Sequence, residues 1–170
     1  QNIDPDFQIP NVKRMANIYE TVLQPNGKVI LSGEIDFYKN QPVKVIVRLN
    51  PDGSVDNTFQ PELPRDIFPV DLKVMASGDI LVYETKRLIQ LSPTGALKNT
   101  LLLNGIMSVV PLSDNRFFVC TNTGGLYRYR SNFKRDNSFP NLDNFANGAI
   151  TDIAPQGNNF IISGTFSSVN

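Results

Sequence analysis

Four groups of residues in this sequence have types and spacings that could carry chemistry. The first is Asn50–Asp56, an oxygen-rich run of the kind found in calcium loops. A calcium site needs about six to eight oxygen ligands, and an EF-hand loop requires a Glu at its twelfth position. Counted from Asn50, that position is Pro61. We therefore interpret the run as a tight turn whose conformation Asp52 and Gly53 supply.

Basic and aromatic side chains alternate in the segment 127–135, a combination that can bind single-stranded nucleic acid or other polyanions. The residues are Tyr127, Arg128, Tyr129, Arg130, Phe133, Lys134 and Arg135. On a strand, the two tyrosines share one face and the arginines between them share the other. The 16 Lys and Arg are balanced by 16 Asp and Glu, whereas nucleic-acid-binding domains usually carry a basic excess. We interpret the segment as a half-buried strand and expect no nucleic-acid partner.

Two further candidates are weaker. Glu34 and Asp36 could form a carboxylate pair of the kind that glycosidases use, but acidic residues are common in loops. Cys120 ends an apolar run, where a thiol behaves as a small core residue. The chain has no His and one Cys, which excludes a Ser-His-Asp triad, a Cys-His dyad and an internal disulfide. We therefore assign no catalytic, cofactor-binding or metal-binding residue and expect no cofactor.

The elements that carry these residues recur along the chain. A turn followed by an apolar run occurs four times, aligned at Gly27, Gly78, Asn115 and Gly157. The spacings of about 51, 37 and 42 residues lie in or near the range of propeller blades. Two more markers recur between these turns in a fixed order. One is the turn Asn50–Gly53, matched by Ser92–Gly95 and loosely by Arg130–Phe133; the other is Asp4–Phe7, Asp56–Phe59, Lys98–Leu101 and Asp136–Phe139.

Each unit reads as an antiparallel meander of short strands, because apolar residues alternate with polar ones or form short runs between Gly, Pro and Asn turns. First strands are predicted at Ile18–Leu23, Val70–Met75, Ile106–Pro111 and Ala149–Ala154. Second strands are predicted at Lys28–Gly33, Ile80–Glu84, Arg116–Thr121 and Phe160–Gly164. Third strands are predicted at Val43–Leu49, Arg87–Leu91 and Leu126–Arg130. No stretch has the apolar spacing of a helix.

These meanders predict an all-β fold of consecutive β-propeller blades, because stacked sheets can bury both faces of each unit. We place about four repeats at approximately 3–55, 56–97, 98–135 and 136–170. The last repeat lacks its third strand, so we expect a portion of a larger propeller with an open edge at Phe160–Gly164. Such an edge invites pairing with another strand. Residues 1–170 alone are therefore expected to aggregate or dimerise.

Two segments of the first unit resemble the delta-60 repeat. They are Gln24–Gly33 and Arg48–Phe59, and Gly164–Asn170 looks like the family's usual link after its second strand. The resemblance covers nearly the whole chain but is loose in the second and third units, which lack the insertion 34–42. The third unit also has Asn115 in place of the turn Gly. The resemblance implies a β-propeller of a secreted or cell-surface bacterial protein, often multidomain, without a general catalytic motif.

The function expected from this reading is a non-catalytic binding or scaffolding module that contacts a glycan or protein through its blade-end loops. The loops 34–42 and 61–69 are the candidates for presenting side chains. Two alternatives remain: a carbohydrate-active hydrolase or lyase with carboxylates converging at the ring mouth, and a purely structural spacer. Its other partners would be the rest of the same propeller or neighbouring domains. The expected location is extracellular, cell-surface or periplasmic, with no membrane-spanning segment, because no apolar run approaches ~18 residues.

Two structural expectations test the repeat alignment. The glycines Gly27, Gly53, Gly78 and Gly95 are expected at turn positions with positive φ. A set of strand residues is expected to be largely buried between stacked sheets. The set is Val29, Leu31, Val45, Val47, Leu49, Leu81, Leu91, Phe118 and Ile162.

Overall fold

The computed structural model describes residues 17–35, 37–38, 41–43, 45–68, 71–157 and 159–169, with only the backbone at 37–38 and 41–42. Every regular element in these residues is a β-strand. The strands are β1 (Asn17–Leu23), β2 (Val29–Glu34), β3 (Phe37–Tyr38), β4 (Gln41–Pro42), β5 (Ile46–Leu49), β6 (Asp71–Val74), β7 (Ile80–Glu84), β8 (Arg87–Leu91), β9 (Leu97–Leu102), β10 (Ile106–Pro111), β11 (Phe117–Thr121), β12 (Leu126–Tyr129), β13 (Ile150–Gln156) and β14 (Asn159–Gly164).

The strands form four antiparallel sheets in chain order, which we call blades 1 to 4. Blade 1 is β1-β2-β5, blade 2 is β6-β7-β8-β9, blade 3 is β10-β11-β12, and blade 4 is β13-β14. The small hairpin β3-β4 lies in the insertion between β2 and β5. The all-β fold and the repeated meander predicted from the sequence are therefore confirmed.

Two strands differ from their predictions. In blade 1 the third strand begins at Ile46 rather than Val43. The strand β9 was not predicted, because Lys98–Leu101 was aligned with the turns at Asp56–Phe59 and Asp136–Phe139. In blade 2 this segment instead pairs with β8, opposite Arg87–Leu91. The repeat boundary proposed at 97/98 falls inside β9, because a sequence repeat need not begin and end with a sheet. The repeat boundaries themselves stay predictions.

The turn positions follow the alignment. Gly27, Gly53, Gly78 and Gly95 have φ of 78°, 74°, 84° and 99°, so the prediction of positive φ is confirmed. Blade 3 uses larger residues at the equivalent points, Asn115 with φ 63° and Phe133 with φ 62°. Asparagine tolerates this left-handed region better than most residues do.

Apolar clusters lie between successive blades. Ile30 and Ile46 of blade 1 pack with Leu72 and Val82 of blade 2. Equivalent clusters join blade 2 to blade 3 and blade 3 to blade 4. Val47, Leu49, Leu81, Leu91 and Phe118 are buried, and Val29, Leu31, Val45 and Ile162 are half-buried. None of the nine predicted core residues is exposed, which confirms the stacked-sheet prediction.

The first strand of each blade contacts the first strand of the next, in the order β1, β6, β10 and β13. These four strands therefore form the inner side of the stack. Three of them carry a bulge at the same place, where the pairing register shifts between Ile18 and Glu20, between Ile106 and Ser108, and between Ile150 and Asp152. A bulge bends its strand and redirects the side chain that follows it.

Candidate functional site

A buried ion cluster occupies the same place in blades 1 and 3. In blade 1, the Asp56 carboxylate accepts hydrogen bonds from Lys28 Nζ and Arg48 Nε, each at 2.7 Å. It also accepts bonds from the backbone N and Oγ1 of Thr58. These donors lower the pKa of Asp56 far below its usual value, against the opposing effect of burial. The Arg48 guanidinium lies over the Phe59 ring, 4.7 Å from its centroid. The Asp-Asn-Thr-Phe marker therefore has a structural role: it holds the side chains of Lys28 and Arg48 in place, and we call this cluster the clamp.

Blade 3 repeats this clamp with different residues. Asp136 accepts hydrogen bonds from Arg116 Nη1 at 2.9 Å and Arg128 Nε at 2.8 Å. Ser138 takes the place of Thr58, and Arg128 lies over the Phe139 ring at 4.8 Å. The pKa of Asp136 is likewise lowered, because these donors outweigh the effect of burial.

Blade 2 has the same cluster with its charges exchanged. The residue after the turn glycine is Asp79, where blades 1 and 3 have Lys28 and Arg116. Its carboxylate accepts hydrogen bonds from Gln90 Nε2 at 2.8 Å and from Lys98 Nζ at 2.7 Å. Lys98 therefore stands where the other blades have an aspartate.

The loop Asn50–Asp56 is a turn in the structure. Asp52 Oδ1 accepts hydrogen bonds from the backbone N of Ser54 at 2.9 Å and from its Oγ at 2.7 Å. Asn50 Nδ2 donates to the same Ser54 Oγ at 3.0 Å. Asp56 Oδ2 accepts from Lys28 and Arg48, and Oδ1 accepts from Thr58. Within the described residues, no group of three or more His, Cys, Asp and Glu could hold a metal ion.

The basic and aromatic residues of 127–135 contact one another and blade 3. Tyr129 is buried between blades 2 and 3, and Tyr127 packs at the edge of the same cluster. The Arg135 guanidinium lies over the Tyr127 ring at 3.9 Å. Arg128 and Arg130 both donate to Asp136. Three of the four cations therefore have partners within the protein, and the segment forms β12 and its following turn.

The carboxylate pair Glu34 and Asp36 is not assembled in the described residues, because Asp36 lies outside them. Glu34 is exposed and accepts a hydrogen bond from Asn17 Nδ2 at 3.0 Å. Cys120 is fully buried, and burial together with the nearby Asp152 raises its thiol pKa to about 12. A thiol with this pKa stays protonated at neutral pH, so Cys120 is a core residue rather than a nucleophile.

A line of polar side chains that the sequence analysis missed crosses the inner strands, directly after the bulge in β1, β10 and β13 and at the start of β6. Glu20 lies near Asp71 of the next blade, and burial together with the interaction with this carboxyl group raises the pKa of Glu20. Asp71 Oδ2 accepts a hydrogen bond from Tyr83 Oη at 2.5 Å. In blades 3 and 4, Ser108 Oγ donates to Asp152 Oδ1 at 3.2 Å. We call Glu20, Asp71, Ser108 and Asp152 the inner polar line.

The inner polar line has a sequence signal. Glu20, Asp71 and Ser108 each stand four positions before the first residue of the following turn. Those turns begin at Gln24, Met75 and Leu112, and in each the backbone N donates a hydrogen bond to the carbonyl O four residues later. A polar residue at a fixed position in an otherwise apolar inner strand could have been found by aligning the repeats on their turns.

A groove of about 690 Å³ lies between blades 1 and 2, at the end where the turns gather. We call it the turn-face groove. Its walls are the ends of β1 and β6 with the turns that follow them. Most of the lining is aliphatic, including Val22, Val74, Met75, Pro93 and Pro111. Its two charged lining residues in the described part are Arg48 and Lys73, both cationic.

Gln24 gives the turn-face groove an unusual polar group. Its side chain is only 7% exposed, and its Oε1 is buried without a hydrogen-bond partner. The equivalent first turn residues of blades 2 and 3 are Met75 and Leu112, which bury no polar side-chain atom there. An unpaired buried acceptor costs about 1–3 kcal/mol. Sequence patterns gave no sign of this feature, because Gln24 reads as an ordinary turn residue.

Comparisons with known proteins agree on the fold. The family model of a β-propeller domain of unknown function, DUF5122, matches residues 24–59. The extracellular domain of a protein described as a hybrid two-component system of B. thetaiotaomicron aligns with a TM-score of 0.53 at 19% identity, covering 81% of this chain and 18% of that one. A protein of unknown function from Bacteroides caccae aligns with a TM-score of 0.52 at 18% identity, covering 84% and 54%. A search of curated proteins finds no match.

The chain has the fold of β-propeller proteins, as the four blades, the family model and the similar solved structures all indicate. It spans between about a sixth and about a half of the length of the solved structures named above. A virginiamycin B lyase from Staphylococcus aureus aligns with a TM-score of 0.45, which is too low to bear on activity. In the described residues, no helix is long and apolar enough to cross a membrane.

Proposed function

We propose that this chain is a non-catalytic binding module of a secreted or surface-exposed bacterial protein, and that the turn-face groove is its binding site. One observation carries the proposal: a groove of about 690 Å³ with largely aliphatic walls lies between blades 1 and 2. Its polar lining includes Gln24, Arg48 and Lys73. Ligand sites are commonly apolar clefts with a few fixed polar groups.

The proposed location rests on the structural relatives. Two of the similar solved structures are extracellular domains of a B. thetaiotaomicron protein. The resemblance to secreted and cell-surface propellers supports the same location. We also propose that these blades belong to a larger propeller, with further blades or neighbouring domains as partners, since the chain spans only 17–18% of the length of those two structures.

The prediction that the loops 34–42 and 61–69 present side chains stays a prediction. Ile67, in the link between blades 1 and 2, is 2% exposed and packs in the core between them with Phe59. The insertion between β2 and β5 lies partly outside the described residues. The turn-face groove is instead formed by the turns after β1 and β6.

The alternative of a carbohydrate-active hydrolase or lyase would need two carboxylates at a working separation. That separation is about 5–5.5 Å in retaining and about 6.5–9.5 Å in inverting glycosidases. Glu20 and Asp71 do converge on the inner side, where burial and the neighbouring Asp71 raise the pKa of Glu20. Asp71 also accepts bonds from Leu72 N and Lys73 Nζ. This geometry supports a structural role for the pair.

The proposal is tested by titrating the ¹⁵N-labelled full chain with a panel of neutral and acidic oligosaccharides and short peptides, followed by NMR. Binding is expected to shift the resonances of the groove walls, including the side-chain amide of Gln24. Product formation from any polysaccharide of the panel would contradict the non-catalytic assignment. No shift with any compound would favour a structural spacer.

A further inference from the structure

The dipeptide Asn-Gly occurs at three places between strands: Asn26-Gly27, Asn104-Gly105 and Asn147-Gly148. We propose that Asn104-Gly105, in the link between blades 2 and 3, is a site of spontaneous deamidation, and that its isoaspartyl product weakens the junction of these blades. The proposal does not depend on the turn-face groove, because it rests on the hydrogen bonds around the three dipeptides. The same two residues in three surroundings separate the effect of the fold from that of the sequence.

Deamidation starts when the peptide nitrogen after an asparagine attacks the side-chain carbonyl carbon. Here the Gly105 nitrogen loses its proton to solvent and bonds to Asn104 Cγ, and Nδ2 leaves as ammonia with a proton from solvent. The product is a cyclic succinimide. Water then opens the ring, either at the new bond to give aspartate or at the original peptide bond to give isoaspartate, whose main chain runs through Cγ. In sum, an amide and a water become a carboxylic acid and ammonia, without any oxidation or reduction.

Both reacting groups are free at Asn104-Gly105. Asn104 is exposed, and no hydrogen bond within the described part of the chain holds its side chain. The Gly105 nitrogen likewise donates to no acceptor among the described residues. Gly105 has φ of 76° and no Cβ, so its nitrogen is unhindered on that side and its backbone can change conformation at little cost. Nothing has to be broken before the ring forms.

The same groups are engaged at Asn26-Gly27. The Gly27 nitrogen donates to Gln24 O at 2.9 Å and thereby closes its turn. Asn26 Oδ1 accepts a hydrogen bond from the backbone N of Lys28 at 3.1 Å. The Gly27 nitrogen must leave its acceptor before it can attack. Loss of one neutral hydrogen bond on the way to the transition state slows a reaction about fivefold.

At Asn147-Gly148 the asparagine side chain itself is fixed. Its Oδ1 accepts hydrogen bonds from the backbone N of Ser167 at 2.9 Å and of Ser168 at 3.1 Å. Its Nδ2 donates to Ser167 Oγ at 2.9 Å. Closure of a succinimide turns the carboxamide away from these partners, so all three bonds oppose it. Asn104 is therefore expected to react fastest of the three and Asn147 slowest.

Isoaspartate at position 104 lengthens a short link whose two ends are fixed. Leu103 N donates to Lys86 O at 3.2 Å, and Ile106 N donates to Thr85 O at 3.0 Å. Both acceptors lie in the turn between β7 and β8, so these bonds tie the start of blade 3 to blade 2. An additional backbone atom between them displaces at least one. Loss of one such bond is expected to lower the melting temperature by about 3 °C.

The experiment incubates the folded full chain at mildly alkaline pH and measures deamidation at each site by tryptic digestion and mass spectrometry. The three asparagines fall in separate tryptic peptides, 15–28, 99–116 and 136–170. The deamidated fraction at Asn104 is expected to exceed that at Asn26 by about fivefold or more, and that at Asn147 by a larger factor. Incubation in urea is the control, where the three rates are expected to converge because the dipeptide is the same.

Two variants test the effect on the blade junction. Asn104→Gln keeps an exposed amide but lengthens the side chain, which slows ring closure, so its aged and fresh samples are expected to melt together. Asn104→Asp carries the charge of the product without the extra backbone atom, and should melt within about 1 °C of the parent chain. The deamidated fraction of the aged parent, collected by ion exchange, should melt about 3 °C lower than the fresh parent.

Each part of the proposal can fail separately. Equal deamidation of Asn104 and either of the other two asparagines in the folded chain would overturn the assigned site. A similar excess at Asn104 in urea would show that the local sequence, rather than the free groups of the folded link, selects it. Identical melting of the deamidated parent and the Asn104→Asp variant would overturn the effect on the junction.

Discussion

At the scale of single residues, Asn115 shows how one side chain can replace a turn glycine. Its φ of 63° matches the turns at Gly27 and Gly78. Its Oδ1 also accepts a hydrogen bond from Ser77 N of blade 2 at 2.7 Å. The asparagine therefore serves two purposes, since it adopts the left-handed conformation and joins two neighbouring turns.

We expect Asn115→Ala to lower the free energy of unfolding by about 1–2 kcal/mol, because alanine loses the bond to Ser77 and strains the backbone. Asn115→Gly is expected to be close to neutral, because relief of strain offsets the lost bond. Urea denaturation of the two variants measures the difference. Equal losses for both would show that the conformation of the turn is not what selects asparagine.

Asp136 is the residue on which the blade 3 clamp depends. It is 3% exposed and accepts bonds from three arginines. Asp136→Asn would leave those cations without their shared anion, so we expect a loss of about 2–3 kcal/mol in the free energy of unfolding. Asp114→Asn is the matched control, because Asp114 also pairs with Arg116 but is 47% exposed, and should cost under about 0.5 kcal/mol. A similar loss for both would contradict a special role for the buried anion.

At the scale of the elements, blade 2 differs from its neighbours by an exchange of charge that also changes its topology. In blades 1 and 3, an Asp oxygen accepts hydrogen bonds from the backbone N and the hydroxyl of the residue two positions later, which closes a turn. Lys98 has no acceptor oxygen in its side chain, so the segment of blade 2 cannot form this turn. It runs on as β9 instead. The exchange is the physical reason that blade 2 has four strands and blades 1 and 3 have three in the described residues.

This exchange predicts strong coupling between Asp79 and Lys98. Asp79→Lys alone should destabilise the protein by about 2–3 kcal/mol, because two ammonium groups would then face each other in a part-buried site. Adding Lys98→Asp should recover at least half of that loss, since it recreates the polarity of blade 1. A double-mutant cycle by chemical denaturation measures the coupling. Simple additivity of the two substitutions would refute it.

The inner polar line predicts a dependence of stability on pH. The pKa of Glu20 is raised above its ordinary 4.5, first by burial and then by Asp71. Between the two pKa values the folded chain holds a proton that the unfolded chain has lost, so the contribution of Glu20 to stability is fully present below pH 4.5 and is lost as the pH rises through the folded pKa. Glu20→Gln should flatten this fall, because its amide donates to Asp71 at every pH. Denaturation at steps between pH 4.5 and 7 measures the slope, and an unchanged slope would contradict the assignment.

The strands were predictable from the sequence because short apolar runs between Gly, Pro and Asn turns have few alternative conformations. The turn glycines were predictable for the same local reason. The strand β9 was not, because its assignment depends on whether position 98 meets an anion or a cation across the sheet. The unpaired side-chain oxygen of Gln24 was not predictable either, since whether it has a partner depends on residues that come together only in the folded chain. Local patterns determine the elements, while the site depends on contacts between them.

At the scale of the whole molecule, blade 4 differs from the other blades in having only two strands in the described part of the chain, β13 and β14. The strand β14 pairs with β13, and no other described strand pairs with it. In blades 1 to 3 a third strand covers the same side. Ile161, in the middle of β14, is 56% exposed. An uncovered strand of this kind invites pairing with another chain.

We expect the full chain to self-associate, so that its mass in sedimentation rises above 18.9 kDa between about 10 and 200 µM. Ile161→Lys should reduce this association, because charged side chains on edge strands discourage pairing. Phe68→Lys is the control, since Phe68 is 65% exposed but lies outside the strands. A monomer at all concentrations with a cooperative melt would show that blade 4 needs no further strand.

The alternating polarity of the ion clusters also bears on how a chain of similar repeats avoids misfolding. If the second strands of blades 1 and 2 were exchanged during folding, Lys28 would face Lys98, and Asp79 would face Asp56. An exchange between blades 1 and 3 would keep every charge matched, but those blades are not adjacent. Neighbouring domains of similar sequence are prone to misassembly, and like charges would penalise the wrong pairing here. The reversed cluster of blade 2 would therefore disfavour an exchange of second strands with blade 1 or blade 3.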